Sequence, residues 1–273
     1  MTKKKILILG GSGFIGNALY KELNSYYDTY ATYKTPKTIF DNNKKFYLFD
    51  YELNAIKVLL DTIKPSIIIS SVRGNFNSQI QLHLDIINWI LKKPCKLIFL
   101  SSSNVFDNFS NYPSYEYDKT FSESVYGRFK IKIENALLRI PNKKYALLRI
   151  PMIYGHGSVT IKEMKLHHRL KAPIEVFPNV IINATTISRV TQQIHYIINR
   201  NRKGIFHLGS TDLIHHNDLV TAICKELKLK NPIFKQVFDS NNDRYLAVLP
   251  KDNKLPNSSL FTIDQVIEGS LKR

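Results

Sequence analysis

Cysteine is scarce in this chain: Cys95 and Cys224 are the two present among 273 residues. They lie in separate apolar segments, which excludes a disulfide framework and suits a reducing, cytoplasmic setting. Long apolar runs are missing as well. No stretch approaches the ~18 consecutive apolar residues that a membrane span needs, so no membrane partner is expected. The opening MTKKKILILGG holds an apolar run of only Ile6–Leu9. That is too short for a signal-peptide core and is read as a buried first strand. Metal-ligand spacing is also lacking. Among eight histidines, His167-His168 and His215-His216 are neighbours, and adjacent helical residues point ~100° apart, so no metal is expected. Acid is in short supply: 22 Asp and Glu face 39 Lys and Arg, leaving a net charge of +17. Such a charge attracts nucleic acid and anionic membranes. Here, though, the lysines are scattered among Asn, Ile and Tyr, without an arginine-rich arm or an aromatic–basic repeat. The reading is a solvated lysine-rich surface that favours anionic nucleotide ligands, with no nucleic-acid partner.

What is present is an alternation of short apolar runs and amphipathic stretches through the first 150 residues, the mark of βαβ units. Strands are expected at 5–9, 29–33, 45–49, 66–71, 96–100 and 145–150. Helices are expected at 14–23, 53–63, 79–92 and 122–138. Runs such as ILIL, SIIIS and KLIFL are apolar on both faces, as a sheet covered on both sides requires. After residue 155 the alternation becomes irregular, with helices expected near 159–170, 187–200, 217–227 and 263–271, and strands at 173–176, 181–183 and 204–208. The expectation is an α/β fold: a Rossmann doubly wound parallel sheet over 1–155, completed by the strand near 204–208. A smaller C-terminal α/β substrate-binding domain would occupy 156–273.

Gly10-Gly11-Ser12-Gly13-Phe14-Ile15-Gly16 follows the first strand and opens the first helix. Gly10 permits the tight turn, Gly13 lets backbone N–H groups approach a pyrophosphate, and Gly16 lets helix and strand pack closely. Ser12, Phe14 and Ile15 complete the segment, whose helix N-terminus offers free N–H groups to phosphate. Cofactor choice falls to the end of strand two, where Tyr33-Lys34-Thr35 has no acid to hold a ribose diol. Lys34 is instead suited to a 2′-phosphate, which favours NADP, with NADPH over NADH. Asp50, ending strand three, is a candidate acceptor for the adenine amino group or a cap for the helix after it. Arg73, after strand four, is a candidate for substrate or phosphate contact.

A tyrosine four residues before a lysine places both on one helical face, where the cation lowers the phenol's ordinary pKa of about 10. With 15 tyrosines and 29 lysines, such pairs arise readily by chance, and four occur. Tyr30/Lys34 and Tyr33/Lys37 fall in or beside a strand, and Tyr115/Lys119 in a polar loop. Tyr126/Lys130 lies on a long expected helix that follows strand five, whose end carries Ser101-Ser102-Ser103. A serine there can donate a hydrogen bond to a carbonyl as negative charge develops on it.

Four segments then carry a family likeness: GGSGFIG; LSSSNVFD (100–107); PSYEYDKTFSESVYGRFK (113–130); and LLRIPMIYG (147–155). In order and separation they resemble the extended short-chain dehydrogenases/reductases, nearest the dTDP-4-dehydrorhamnose reductase branch. The likeness implies reduction of a nucleotide-linked 4-keto-6-deoxyhexose by NADPH. It puts the carbonyl-polarising hydroxyl on Ser102, the proton donor on Tyr126, and the ribose-holding lysine on Lys130. Ser70 would join the cofactor contacts, and Ser102, Ser103, Arg73 and Tyr126 the substrate contacts. A homodimer is compatible with it. The chain departs from the branch at Ser70–Gly74 and Ser102–Asn104, and at Leu249-Pro250 where an Arg-Pro pair is usual. Two rival readings follow from the same likeness: a nucleotide-sugar 4-epimerase with retained NAD, and a non-catalytic NADP-binding regulatory subunit.

Overall fold

The computed structural model describes residues 3–36, 38–40, 43–108, 111–238 and 240–271. The first part of the chain runs β1 (Lys5–Leu9), α1 (Phe14–Leu23), β2 (Asp28–Tyr33), β3 (Phe46–Leu48), α2 (Ile56–Ile63), β4 (Ile67–Ser70), α3 (Phe76–Leu91), β5 (Lys96–Ser102), α4 (Val125–Leu138) and β6 (Tyr145–Ile150). It continues through β7 (Met152–Tyr154), α5 (Val159–Arg169), β8 (Ile174–Val176), β9 (Val180–Ile182), β10 (Ala184–Thr186) and α6 (Ile187–Asn199). β11 (Gly204–His207), β12 (Ile214–His215), α7 (His216–Glu226), β13 (Phe234–Gln236), β14 (Arg244–Leu246) and α8 (Ile263–Gly269) complete it.

Seven strands form the main sheet in the order β11-β6-β5-β4-β1-β2-β3. β1 pairs in parallel with both β2 and β4, β2 with β3, and β4 with β5. The order reverses at β1, so the switch point lies between the carboxyl ends of β1 and β4. Ile6, Leu7, Ile8 and Leu9 are all fully buried, which requires cover on both faces of β1. Leu7 and Leu9 join one cluster with residues of α2, α3 and α4, including Leu60, Ile86 and Ile133. Ile6 and Ile8 face the other way by the period of two. The doubly wound α/β sheet expected from the alternation of apolar runs is therefore present.

The chain divides into two compact units. One comprises Met1–Ser101, Ser124–Leu148 and Ile194–Ile205, and the other Ser102–Glu123, Arg149–Gln193 and Phe206–Arg273. The division is interleaved: besides the stretch near 204–208 that the sequence pattern returns to the first part, segment 102–123 leaves it. Segment 102–123 follows β5 yet is bonded to the C-terminal stretch. Ser114 N donates to Ala247 O (2.8 Å) and Leu249 N to Ser114 O (3.0 Å). The second unit has its own apolar core, built from residues such as Tyr154, Met164, Val176, Leu219 and Val266.

A polar cluster pins this arrangement. The fully buried Glu116 carboxylate accepts the backbone N–H groups of Lys251, Asp252 and Asn253 at 2.9–3.2 Å. Arg149, buried inside β6, donates to Glu116 O (2.9 Å) and approaches His207 Nε2 (3.3 Å). Burial alone would raise the Glu116 pKa, but the converging N–H groups outweigh it and hold the pKa below the ordinary 4.5. A carboxyl with a depressed folded-state pKa contributes its stability above the unfolded value and loses it as pH falls through the folded one. Glu116→Gln should therefore lower stability by about 2 kcal/mol at pH 7. The gap from the parent should narrow below pH 4.5. Denaturant unfolding at pH 7 and pH 4 checks this, and a gap independent of pH contradicts it.

Candidate functional site

The first unit carries two constructions at the carboxyl end of its sheet. At the end of β1, Gly10 adopts φ +78°, and a Cβ there would lie 2.8 Å from Ser71 O. The turn is held by Gly10 N on Thr32 Oγ1 (2.9 Å), Ser12 N on Thr32 O (3.3 Å) and Gly13 N on Gly10 O (3.0 Å). Gly16, in the first turn of α1, sits against that loop: a Cβ would meet Gly10 O at 2.2 Å and Ser71 Oγ at 2.7 Å. At Gly13, the N-cap of α1, an added Cβ meets only Gly10 O, at 3.2 Å. No side chain caps this helix, so its first N–H groups remain available to an anion. Gly10, Ser12, Gly13, Phe14 and Ile15 line a cavity of about 210 Å³ with Thr32, Lys34, Tyr51, Val72 and Arg73. An uncapped helix start above a glycine cradle fits a diphosphate; of the residues expected there from sequence, Gly10, Ser12, Gly13, Phe14, Ile15 and Lys34 line this cavity, and Gly16, Asp50 and Ser70 do not.

Its rim is more acidic than the sequence suggests. Lys34 Nζ is shared by Asp50 (3.2 Å) and Glu52 (3.3 Å). The bond to Asp50 first, and that to Glu52 after it, raises the Lys34 pKa. The Asp50 carboxyl is held below its ordinary value by the Glu52 N–H and then by Lys34. Asp50 also closes a tight turn by accepting Leu53 N and Asn54 N on its carbonyl. For that reason α2 begins at Ile56 rather than Leu53, and Asp50 is a turn residue, not its N-cap. Tyr51 Oη donates to Arg73 O (2.9 Å), and the exposed Arg73 lies along the cavity.

Ser70 is not among the residues along this cavity. Its hydroxyl donates inward to His83 Nε2 (2.8 Å), since His83 Nδ1 donates to Gln79 O (2.6 Å). Burial pushes the His83 pKa down to about 4, keeping the ring neutral. The next residue, Ser71, lines the cavity instead, because successive side chains alternate across a strand.

The second construction stands on α4. Ser124 caps that helix by accepting Gly127 N (2.9 Å), which fixes the entry of Tyr126. Tyr126 is 39% exposed and Lys130, one turn on, only 8%. Lys130 Nζ lies 5.6 Å from the Tyr126 ring centre and donates to Leu100 O (2.8 Å) near the end of β5. It also lies 4.8 Å from the Phe99 ring centre and 5.1 Å from that of Phe129. Burial lowers its pKa to about 8, against the opposing pull of Glu134. Ser102 ends β5, two residues beyond Leu100, and opens the second unit. Its hydroxyl donates to Asn104 Oδ1 (2.8 Å) and accepts Asn104 N (3.2 Å). Ser103 is buried at the start of a short 3₁₀ turn. Among the described residues no group of three or more His, Cys, Asp or Glu is placed to hold a metal. No described helix is long and apolar enough to cross a membrane.

The RmlD substrate binding domain model matches residues 83–262. The chain belongs to that family. By their names, the solved structures that share this fold include a dTDP-4-dehydrorhamnose reductase with NADP, a dTDP-glucose 4,6-dehydratase with NAD and a UDP-glucuronic acid 4-epimerase with NAD. Methionine adenosyltransferase 2 subunit beta from Bos taurus is 25% identical over 264 residues, covering 88% of this chain and 77% of that protein. A dTDP-4-keto-6-deoxy-D-glucose reductase from Streptomyces niveus is 29% identical over 113 residues, 41% of this chain and 39% of its own length. In structure, the chain is similar to dTDP-4-dehydrorhamnose reductase from Bacillus anthracis solved with NADP, with TM-score 0.75, 19% identity and 99% of both chains covered.

Sequence reasoning missed three parts of this RmlD-family chain. Glu134 and its partner Ser101 lie directly behind Lys130, and Glu52 joins Lys34. The third part, Arg149, had a visible signal: a lone charge in the apolar strand LLRIP. The two glycines that differ most in surroundings provide a test. Gly16→Ala should destabilise the fold by about 1–3 kcal/mol, since its methyl overlaps the Gly10 carbonyl. Gly13→Ala should destabilise the fold less than Gly16→Ala does but weaken NADP binding by more than about tenfold. Thermal melts with and without NADP separate these outcomes, and unimpaired binding in Gly13→Ala contradicts the cradle.

Proposed function

We propose that this chain is an NADPH-dependent reductase of a nucleotide-linked 4-keto-6-deoxyhexose, with the first unit holding the dinucleotide and the second the sugar nucleotide. The observation that carries the reading is the pairing of Tyr126 with a buried Lys130 anchored at the end of β5, in the same sheet as the glycine turn. β5 and β1 are separated by β4 alone, so their ends stand roughly 10 Å apart. That spacing suits a dinucleotide reaching from its diphosphate to its nicotinamide.

When bound, the reduced nicotinamide supplies a hydride to the keto carbon. Tyr126 donates its phenolic proton to the carbonyl oxygen as that oxygen becomes an alcohol. The Lys130 ammonium stabilises the phenolate left behind, and the N–H bonds not used on Leu100 O are available to the nicotinamide ribose. Ser102 polarises the carbonyl through its hydroxyl, with Ser103 and Arg73 proposed beside the substrate.

NADPH is favoured over NADH through Lys34. Its bonds to Asp50 and Glu52 are exposed, and exposed ion pairs contribute little. Lys34 therefore exchanges them for a 2′-phosphate at little cost, but the two carboxylates keep the preference modest.

A second reading has one specific observation behind it. The relatives that match this chain over most of its length are, by name, subunits of methionine adenosyltransferase. The alternative is a dinucleotide-binding subunit of a larger enzyme. Turnover decides. With NADPH and a dTDP-4-keto-6-deoxyhexose, the parent should consume NADPH stoichiometrically. Tyr126→Phe should lose about 10²-fold or more in turnover and bind NADPH as tightly as the parent. Unchanged turnover in Tyr126→Phe ends the mechanism. No turnover on any keto-sugar, with co-purification of a larger enzyme, establishes the second reading.

A further inference from the structure

Glu134 is a buried carboxylate that the proposed reaction does not use. It lies in α4 one turn beyond Lys130 and is 1% exposed. Its Oε1 accepts the Ser101 hydroxyl in a short hydrogen bond. The two bonds form a clamp: consecutive β5 residues, Leu100 and Ser101, hold consecutive turns of α4 through Lys130 and Glu134. Among the described residues, Leu100 O is the hydrogen-bond acceptor of the Lys130 ammonium, and the rings of Phe99 and Phe129 pack around it.

An ammonium in such surroundings is driven toward the neutral amine, because burial penalises the charged form. The titratable groups around it are few. Tyr126 and Glu134 share its helix, and His83 is the one on α3 that senses its charge. His83 is neutral and committed to Gln79 O and Ser70. Glu134 alone among these supplies a negative charge that favours the cation.

We propose that Glu134, fixed by Ser101, is a positioning residue that keeps Lys130 protonated and directed at Leu100 O. This rests on the reading of Tyr126 and Lys130 as the proton-transfer pair. Activity requires the Lys130 cation, so it falls as pH rises through the Lys130 midpoint. Removing the Glu134 charge moves that loss to lower pH.

The test uses the cofactor-free protein with ¹³C-labelled lysine side chains, Lys130 being assigned from the signal missing in Lys130→Gln. The Lys130 midpoint should lie near 8 in the parent and about 1–2 pH units lower in Glu134→Gln. Glutamine preserves the shape and can still accept from Ser101. In turnover, parent and Glu134→Gln should be similar at pH 6 and differ about tenfold at pH 8. If Glu134→Gln does not fold, Ser101→Ala replaces it, and loss of that hydrogen bond to the carboxylate should let the midpoint drop. An unmoved midpoint in a folded variant overturns the proposal whatever the activity. A lowered midpoint in a protein that reduces no keto-sugar supports this role and overturns the reductase reading instead.

Discussion

A primary ammonium held out of water is the constraint on which the rest of the site depends. Lys130 is nearly buried, and transferring a charge from water is unfavourable unless partners replace the lost hydration. One carbonyl and the rings of Phe99, Phe129 and Tyr126 lie around it, and the buried Glu134 carboxylate is proposed to complete the replacement. Each comes from an element whose position is set by the sheet: Leu100 and Phe99 from β5, Phe129 and Glu134 from α4. A shift of α4 along β5 would strand the cation, so the strand–helix register is enforced by electrostatics as well as by the apolar cluster beneath. The proposed proton donor, Tyr126, takes its place from the same helix.

The glycine turn answers a different requirement with the same economy of means. A diphosphate needs donors without side chains in front of them, and a turn of three closely spaced glycines before an uncapped helix meets that need. Gly16 is small because the turn folds back onto α1, whereas a Cβ at Gly13 would meet only the Gly10 carbonyl. Both constructions lie at the carboxyl end of one parallel sheet on either side of β4, where reversal of strand order leaves a crevice. Topology thus places both constructions before any side chain is chosen.

Much of this was legible in the residues. Strands buried on both faces announce themselves as unbroken apolar runs, so β1, β4, β5 and β6 were found within a residue or two. The turn at 10–16 and the helix bearing Tyr126 and Lys130 were found from local spacing. What could not be read depends on long-range partners or on very short elements. β7, β10, β13 and β14 have three residues each, and β12 has two, too few to display a period. Nothing local tells that Glu116 will meet the backbone at 251–253, or that segment 102–123 therefore joins the second unit. Lys34 read as a free cation because Asp50 and Glu52 reach it only after β2 and β3 pair. Ser70 was taken for a cofactor contact because strand phase decides between it and Ser71, and a one-residue difference reverses the face.

The chain belongs to the RmlD substrate binding domain family, and the activity proposed for it is transfer of a hydride onto a sugar carbonyl. Isotope transfer tests it most directly: NADPH deuterated at both C4 positions, incubated with the protein and a dTDP-4-keto-6-deoxyhexose, followed by mass spectrometry and NMR of the sugar. The account predicts one deuterium per product molecule, bonded to C4. A dinucleotide that stays bound and fully deuterated beside an unchanged keto-sugar would contradict it.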